Sequence, residues 1–205
     1  MNLKISIQVT SNTFMFTLGD GQFLFAGTYM GDVKMYNLQS SEETTYQCHD
    51  SYIYHVQPSR DSKLVITSSS WRTPYSKLWS VGDFFDEKQQ FKDEEYLKFS
   101  CLVQDKVVGT QADGIATVYD LHTGQLTRTL KPACCNAYTR NRATFDPTDD
   151  LILSDGVLWD YRAPKEIHKF DKLNQTLSGV FHPNGLEIIS NTEVRSFFQM
   201  ILIIY

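Results

Sequence analysis

The sequence carries no catalytic signature. Its 205 residues hold no Gly-x-Ser-x-Gly elbow, no glycine-rich phosphate loop followed by Lys-Ser/Thr, and no kinase catalytic-loop set. Five histidines (His49, His55, His122, His168 and His182) form no His-Glu-x-x-His pair, and four cysteines include no Cys-x-x-Cys. Cys134 and Cys135 are adjacent, which does not suit a disulfide framework, so the thiols are expected free and buried in a reducing compartment. No enzymatic activity, no cofactor and no metal are therefore expected. Positive charge is scarce as well. The 19 Lys and Arg against 24 Asp and Glu give a net charge of −5, without the clustered basic surface that binding to nucleic-acid phosphates requires. The acidic residues are scattered apart from Asp93-Glu94-Glu95 and Asp149-Asp150, and both runs are expected to be solvated loop surface.

Long apolar stretches are also missing. The opening MNLKISIQVTSNTFMF has neither the apolar core nor the cleavage site of a signal peptide, which points to an intracellular chain. FFQMILIIY, Phe197 to Tyr205, is apolar, but nine residues fall far short of the roughly 20 that a helix needs to cross a bilayer. No membrane partner is expected. Two readings of this tail stand: a strand of the core, or the product of a truncated or wrongly joined coding sequence. No long segment shows a helical period.

What is present is a repeat. The segments GDVKMYNL, SKLWSV, GIATVYDL and GVLWDYR each alternate apolar residues and end on an aromatic followed by small or polar residues. Aligning Tyr36, Trp79, Tyr119 and Trp159 gives intervals of 43, 40 and 40 residues, the spacing of a WD-repeat blade. Ahead of each lies another apolar run, QFLFAGT, KLVITSS, KVVGTQ and DLILSD, and turn residues such as Gly19-Asp20-Gly21 and Pro147-Thr148-Asp149-Asp150 separate the runs. A fifth unit begins at SGVFHPNGLEIIS. The expected fold is all-β, an incomplete WD-repeat β-propeller of about four blades plus the start of a fifth, and part of a larger ring.

Four positions stand out within this pattern. His49 precedes the strand SYIYHVQP and is expected to make a structural hydrogen bond inside its blade. Trp71 and Tyr75 fall in a hairpin loop between strands ending at Ser69 and starting at Ser76. Trp71 either folds back on its own blade or stands out as a binding anchor on a substrate face, at the rim opposite the end of VLWDYR. Asp155-Gly156 favours a two-residue type I′ hairpin. The following strand places Val157 and Trp159 on one face, with Leu158, Asp160 and Arg162 on the other. Trp159 is expected to pack between blades and Asp160 to accept an internal hydrogen bond. Arg162 falls where the strand leaves the blade, and blade geometry does not call for a guanidinium there. Its fork of donors suits carboxylates or carbonyls of another protein.

The runs NRATFDPTDDLILSDGVLWDYR, EIHKFDKLN and SGVFHPNGLEIISNTE closely resemble the C-terminal WD-repeat propeller of the Vpr-binding protein family, and YNLQSSEETTYQCHDSYIYHVQPSRDSKLVITSSSW resembles its earlier blades. The likeness runs from about Phe23 to Glu193. Residues 1–22 match poorly but are expected to supply a first strand, and residues 194–205 form a divergent apolar tail. The resemblance implies a non-catalytic substrate receptor of a cullin-4 RING ubiquitin ligase, located in the nucleus with the cytoplasm as a second site. Its implied partners are the DNA-damage-binding adaptor of the ligase and protein substrates. The family's Trp-Asp-x-Arg docking motif falls on Trp159, Asp160 and Arg162. A second such motif, which the family carries after the equivalent of Glu193, is absent: VRSFFQMILIIY stands there. The alternative is a generic WD-repeat interaction scaffold with Arg162 merely solvated.

Overall fold

The computed structural model describes residues 14–17, 22–82, 85–133, 135–136, 141–163, 165–170, 179–194 and 197–204; for 14–17, 190–194 and 197–204 the backbone alone is described. Every element among them is a β-strand. The first sheet takes β1 (Phe14–Thr17), β2 (Phe23–Gly27), β3 (Asp32–Asn37) and β4 (Glu43–Gln47) in that order. The second takes β5 (Ile53–Pro58), β6 (Leu64–Ser69), β7 (Ser76–Val81) and β8 (Phe85–Phe91). The third is β9 (Glu94–Phe99), β10 (Lys106–Gln111), β11 (Ala116–Asp120) and β12 (Leu126–Leu130). The fourth is β13 (Thr144–Phe145), β14 (Leu151–Ser154), β15 (Val157–Asp160) and β16 (Lys165–Lys169). The fifth has three strands, β17 (Val180–Phe181), β18 (Glu187–Val194) and β19 (Phe197–Ile204).

This is the expected all-β architecture of four sheets and part of a fifth. The four aligned aromatics each lie on the third strand of a sheet, and the apolar runs ahead of them form the second strands. The fourth strands are polar and largely exposed, β4 being ETTYQ and β16 KEIHK, so no hydrophobic pattern marks them in the sequence. Of the tail, Phe197–Ile204 pairs with β18 as a strand of the fifth sheet. The turn residues Gly19-Asp20-Gly21 lie outside the described residues.

The chain divides into two compact units, residues 1–72 with 77–88 and residues 73–76 with 89–205. In the first, Phe25 and Val33 pack with Ile53, Val56, Val65 and Trp79 in a buried cluster that joins the first two sheets. Phe85 stacks on both Tyr46 and Trp79, at centroid distances of 4.5 and 5.2 Å. In the second unit, Val108, Ala116, Val118 and Leu130 of the third sheet pack on Phe145, Ile152, Val157 and Trp159 of the fourth. Leu153 and Leu158, on the opposite face of the fourth sheet, meet Ile188 of the fifth. Burial of a side chain as large as Trp159 contributes on the order of 3 kcal/mol. The alternation expected for this strand is therefore realised from Val157 to Asp160, with Trp159 between sheets.

Both acidic runs differ from expectation. Asp93 and Glu95 are exposed, but Glu94 is buried, because strand alternation turns it inward. Asp149 is buried too, with three backbone N–H groups as its reason: its carboxylate accepts from Cys101, from Leu102 at 2.9 Å and from Val103 at 3.1 Å. The thiols also divide. Cys48 is buried, and that burial pushes its pKa up to about 12. Cys101 is half-buried and Cys135 is exposed, against the expectation of uniformly buried thiols. Cys134 lies outside the described residues.

Candidate functional site

The stretch Asp155–Ala163 is shaped by its two turns. Asp155 and Gly156 have φ of 50° and 72°, the left-handed pair that a type I′ hairpin needs, and Ser154 pairs with Val157 across them. The turn is also held from outside. The Asp155 N–H donates to Asn141 Oδ1 at 2.8 Å, and its carboxylate accepts from the Asn136 N–H at 2.6 Å. The register of β15 is thereby fixed at its start. At its far end, the pairing with β16 shifts between Leu158 and Trp159, as β11 with β12 shifts between Val118 and Tyr119. The bulge recurs just before the aromatic in both sheets.

Beyond Asp160 the strand ends. Asp160 Oδ1 accepts from the backbone N–H of Arg162 at 2.9 Å and of Ala163 at 3.4 Å, so the expected internal acceptor closes the turn leaving the blade. Strand alternation consequently stops short of Arg162, which sits in that turn and not on the face shared by Leu158 and Asp160. Tyr161 turns inward, edge-on to Phe145 at 5.8 Å, with Lys106 Nζ 5.6 Å from its ring. Arg162 turns outward and its side chain is 70% exposed. Two carboxylates lie nearby: its Nε is 3.5 Å from Asp150 Oδ1 and 3.8 Å from Asp160 Oδ1. Such long, solvated pairs orient a side chain and add little stability. Among the described residues the guanidinium has no other ionic partner.

No protein-family model matches the chain. Individual proteins do. The chain is 50% identical over 176 residues to Protein mahjong of Drosophila melanogaster, covering 85% of the chain and 11% of that protein. It is 36% identical over 179 residues to the DDB1- and CUL4-associated factor homolog 1 of Caenorhabditis elegans, and 30% identical over 195 residues to the Arabidopsis thaliana protein of the same name. The resemblance to the Vpr-binding protein family is borne out. The chain spans about a tenth of the length of these relatives, with 11%, 10% and 10% of them covered. Among solved structures, the β-propeller domain of Myceliophteria thermophila Cps50 (Swd1) matches 69% of the chain with a TM-score of 0.58 at 13% identity, covering 47% of that chain. That likeness shows the fold, a WD-repeat β-propeller left incomplete by the fifth, three-stranded sheet.

The other positions singled out in this Vpr-binding-protein-like chain fall as follows. His49 Nε2 lies 2.7 Å from Thr67 Oγ1, which also accepts from the Trp79 indole N–H at 2.8 Å. The blade-internal bond expected of His49 is therefore present and buried. Trp71 lies between β6 and β7 as expected, with φ of 74° and 80% exposure. It meets the edge of the Tyr52 ring at 5.7 Å, and Tyr52 in turn stacks on Tyr29 at 5.5 Å. Trp71 thus does both things: it touches its own sheet and remains open to solvent. Met30, beside Tyr29, is 75% exposed. Tyr75 is half-buried. Tyr29, Met30 and Tyr52 were not legible as site residues, because their grouping with Trp71 is made by loops far apart in the chain. The tip Thr28-Tyr29-Met30-Gly31, with its bulky residues on a hairpin turn, is the one sequence signal that points to them.

Proposed function

We propose that the chain is propeller sequence from a substrate receptor of a cullin-4 RING ubiquitin ligase, docking on the DNA-damage-binding adaptor through Trp159, Asp160 and Arg162. The observation that carries this reading is the division of labour in that motif. Trp159 is 4% exposed between sheets, Asp160 closes the turn, and Arg162 projects at 70% exposure. A bidentate donor held at a turn by its neighbour is preorganised for a carboxylate or a row of carbonyls. Two of the relatives bear DDB1 and CUL4 in their names, which supports the choice of partner. The receptor performs no chemistry and needs no cofactor. It holds a substrate at high effective concentration near the ubiquitin-carrying enzyme.

Trp71, with Tyr29, Met30 and Tyr52, is the substrate-facing patch in this reading. A bulky residue kept at positive φ and exposed is costly to the fold alone, and Trp and Tyr dominate binding hot spots. The receptor works in the nucleus, and imaging of a tagged chain tests that location. Adaptor capture by the chain, with Arg162→Ala and Arg162→Lys as variants, tests docking. Loss with both variants supports a bidentate contact. Undiminished capture by Arg162→Ala favours the second reading, a WD-repeat scaffold without ligase association, in which Arg162 is merely solvated beside Asp150 and Asp160.

A further inference from the structure

The loop that joins β9 to β10 lies beside the Arg162 turn. In an antiparallel sheet of four strands joined in order, the first and third connections leave from the same end. Asp149, in the first connection of the fourth sheet, accepts from the N–H groups of Cys101, Leu102 and Val103 in the first connection of the third. Its neighbour Asp150 reaches the other way. The Asp150 carbonyl oxygen accepts from the Tyr161 N–H at 2.9 Å, and its Oδ1 lies 3.5 Å from Arg162 Nε. Two consecutive aspartates therefore join Leu102 and Val103 to Arg162. The far end of the loop is tied to a turn of the same build. The Leu121 N–H donates to the Asp105 carbonyl oxygen at 2.9 Å, and Asp120 Oδ1 accepts from the N–H groups of His122 at 2.9 Å and Thr123 at 2.8 Å, as Asp160 does beside Arg162.

What this bracketed loop displays is apolar. Leu102 and Val103 are consecutive and both exposed. Leu126 and Ile167 are exposed as well, but each stands on the outer strand of its own sheet, the ordinary scatter of a protein surface. The loop is also held in place. Besides the bonds to Asp149, Gln104 has φ of 59° and Asp149 φ of 64°, left-handed conformations that residues with side chains seldom adopt. A loop fixed in this way loses little freedom when a partner covers it. Arg162 needs such a neighbour. A charge contact open to water adds little affinity, and it gains strength only where the surrounding contact excludes water. Leu102 and Val103 are the aliphatic surface beside it, and the half-buried Asp105, Lys106 and Asp150 give the polar margin that interfaces carry.

We infer that Leu102 and Val103 are the apolar part of the surface that docks on the ligase adaptor. They seat against an apolar patch of that partner while Arg162 takes its carboxylate or carbonyl acceptors. This rests on the docking reading given above and adds to it a point of contact from another sheet.

The test titrates purified adaptor over the immobilised full chain. Leu102→Ser combined with Val103→Ser keeps both backbone N–H groups, and hence the bonds to Asp149, while removing the aliphatic surface. A loss of roughly tenfold or more in affinity is expected, since burying one such side chain is commonly worth that factor. Leu102→Met combined with Val103→Ile stays apolar and is expected to bind as the parent does. Ile167→Ser, which removes an exposed aliphatic side chain from β16, is expected to leave capture unchanged. If Arg162→Ala loses capture while the double serine variant binds like the parent, the inference is overturned and the docking reading stands. If Arg162→Ala binds like the parent, or the parent captures no adaptor, the docking reading falls and takes the inference with it. A loss with Ile167→Ser as large as with the double serine variant also overturns it, because any aliphatic surface would then serve. Circular dichroism of each variant at the titration temperature confirms that lost capture is not lost folding.

Discussion

The second and third sheets solve one problem with different chemistry. In each, a third-strand aromatic with a polar edge must be braced against the inside of its blade. The second sheet uses a neutral relay, in which the Thr67 hydroxyl sits between His49 at 2.7 Å and the Trp79 indole at 2.8 Å. The third uses a buried carboxylate. Glu94 Oε1 accepts from the Tyr119 hydroxyl at 2.8 Å, from Thr117 Oγ1 at 3.0 Å and from Gln111 Nε2 at 3.1 Å. Gly109 makes the room, since a methyl group there would collide with the Glu94 side chain and with Thr117. Both hubs are satisfied, so both are compatible with burial. The stakes differ. A charged acceptor shared by three donors is stronger while intact and costs more when broken.

The largest effect is therefore expected at Glu94. Glu94→Ala should cost about 3–4 kcal/mol, because three donors lose their shared acceptor in a buried site. Glu94→Gln, which keeps a carbonyl oxygen, should cost clearly less. Urea midpoints of the two variants measure the gap. Thr67→Val comes next at about 2 kcal/mol, since it keeps the shape and strips the indole N–H of its acceptor. If Thr67→Val proved as damaging as Glu94→Ala, the distinction between the neutral and charged hubs would collapse.

Tyr119→Phe sharpens the contrast through pH. Burial raises the Tyr119 phenol above its ordinary value, and the hydrogen bond to Glu94 raises it further. A raised folded-state pKa means that the stabilisation is whole below the unfolded phenol's pKa of about 10 and fades as pH climbs toward the folded value. The variant should thus be less stable by about 1 kcal/mol at neutral pH. Its deficit should shrink above about pH 10, where the unfolded phenol ionises. A deficit that stayed constant through the alkaline range would show that the hydroxyl's bond to Glu94 does not matter. The smallest effect is expected at Arg162, outside both hubs. Arg162→Ala should shift stability by no more than about 0.5 kcal/mol, as at other exposed sites. A larger loss would make the arginine part of the blade.

Much of the fold was legible because each blade needs an aromatic at the same place, and that need recurs at a fixed interval. His49 was legible for a similar reason, as a polar residue just ahead of a first strand. Glu94 was not. Its run of acids looks like solvent-facing charge, and only the alternation of β9 and partners up to 25 residues away turn it inward. Asp149 hid in the same way, with a target 46 to 48 residues earlier in the chain. Of the candidate site, Arg162 and Asp160 showed in the local motif. The patch around Trp71 did not, since neighbouring loops assemble it.

Asp149 grips the segment Cys101–Val103 by its peptide N–H groups and not by its side chains. Nearly any amino acid offers that same handle, proline excepted. The path of Leu102 and Val103 is accordingly set without their side chains, while Cys101 also packs against the core and reaches the Phe145 carbonyl oxygen through its Sγ. Leu102 and Val103, exposed at 58% and 66%, thus stand on a path whose course is held by backbone and whose outward chemistry is a separate matter.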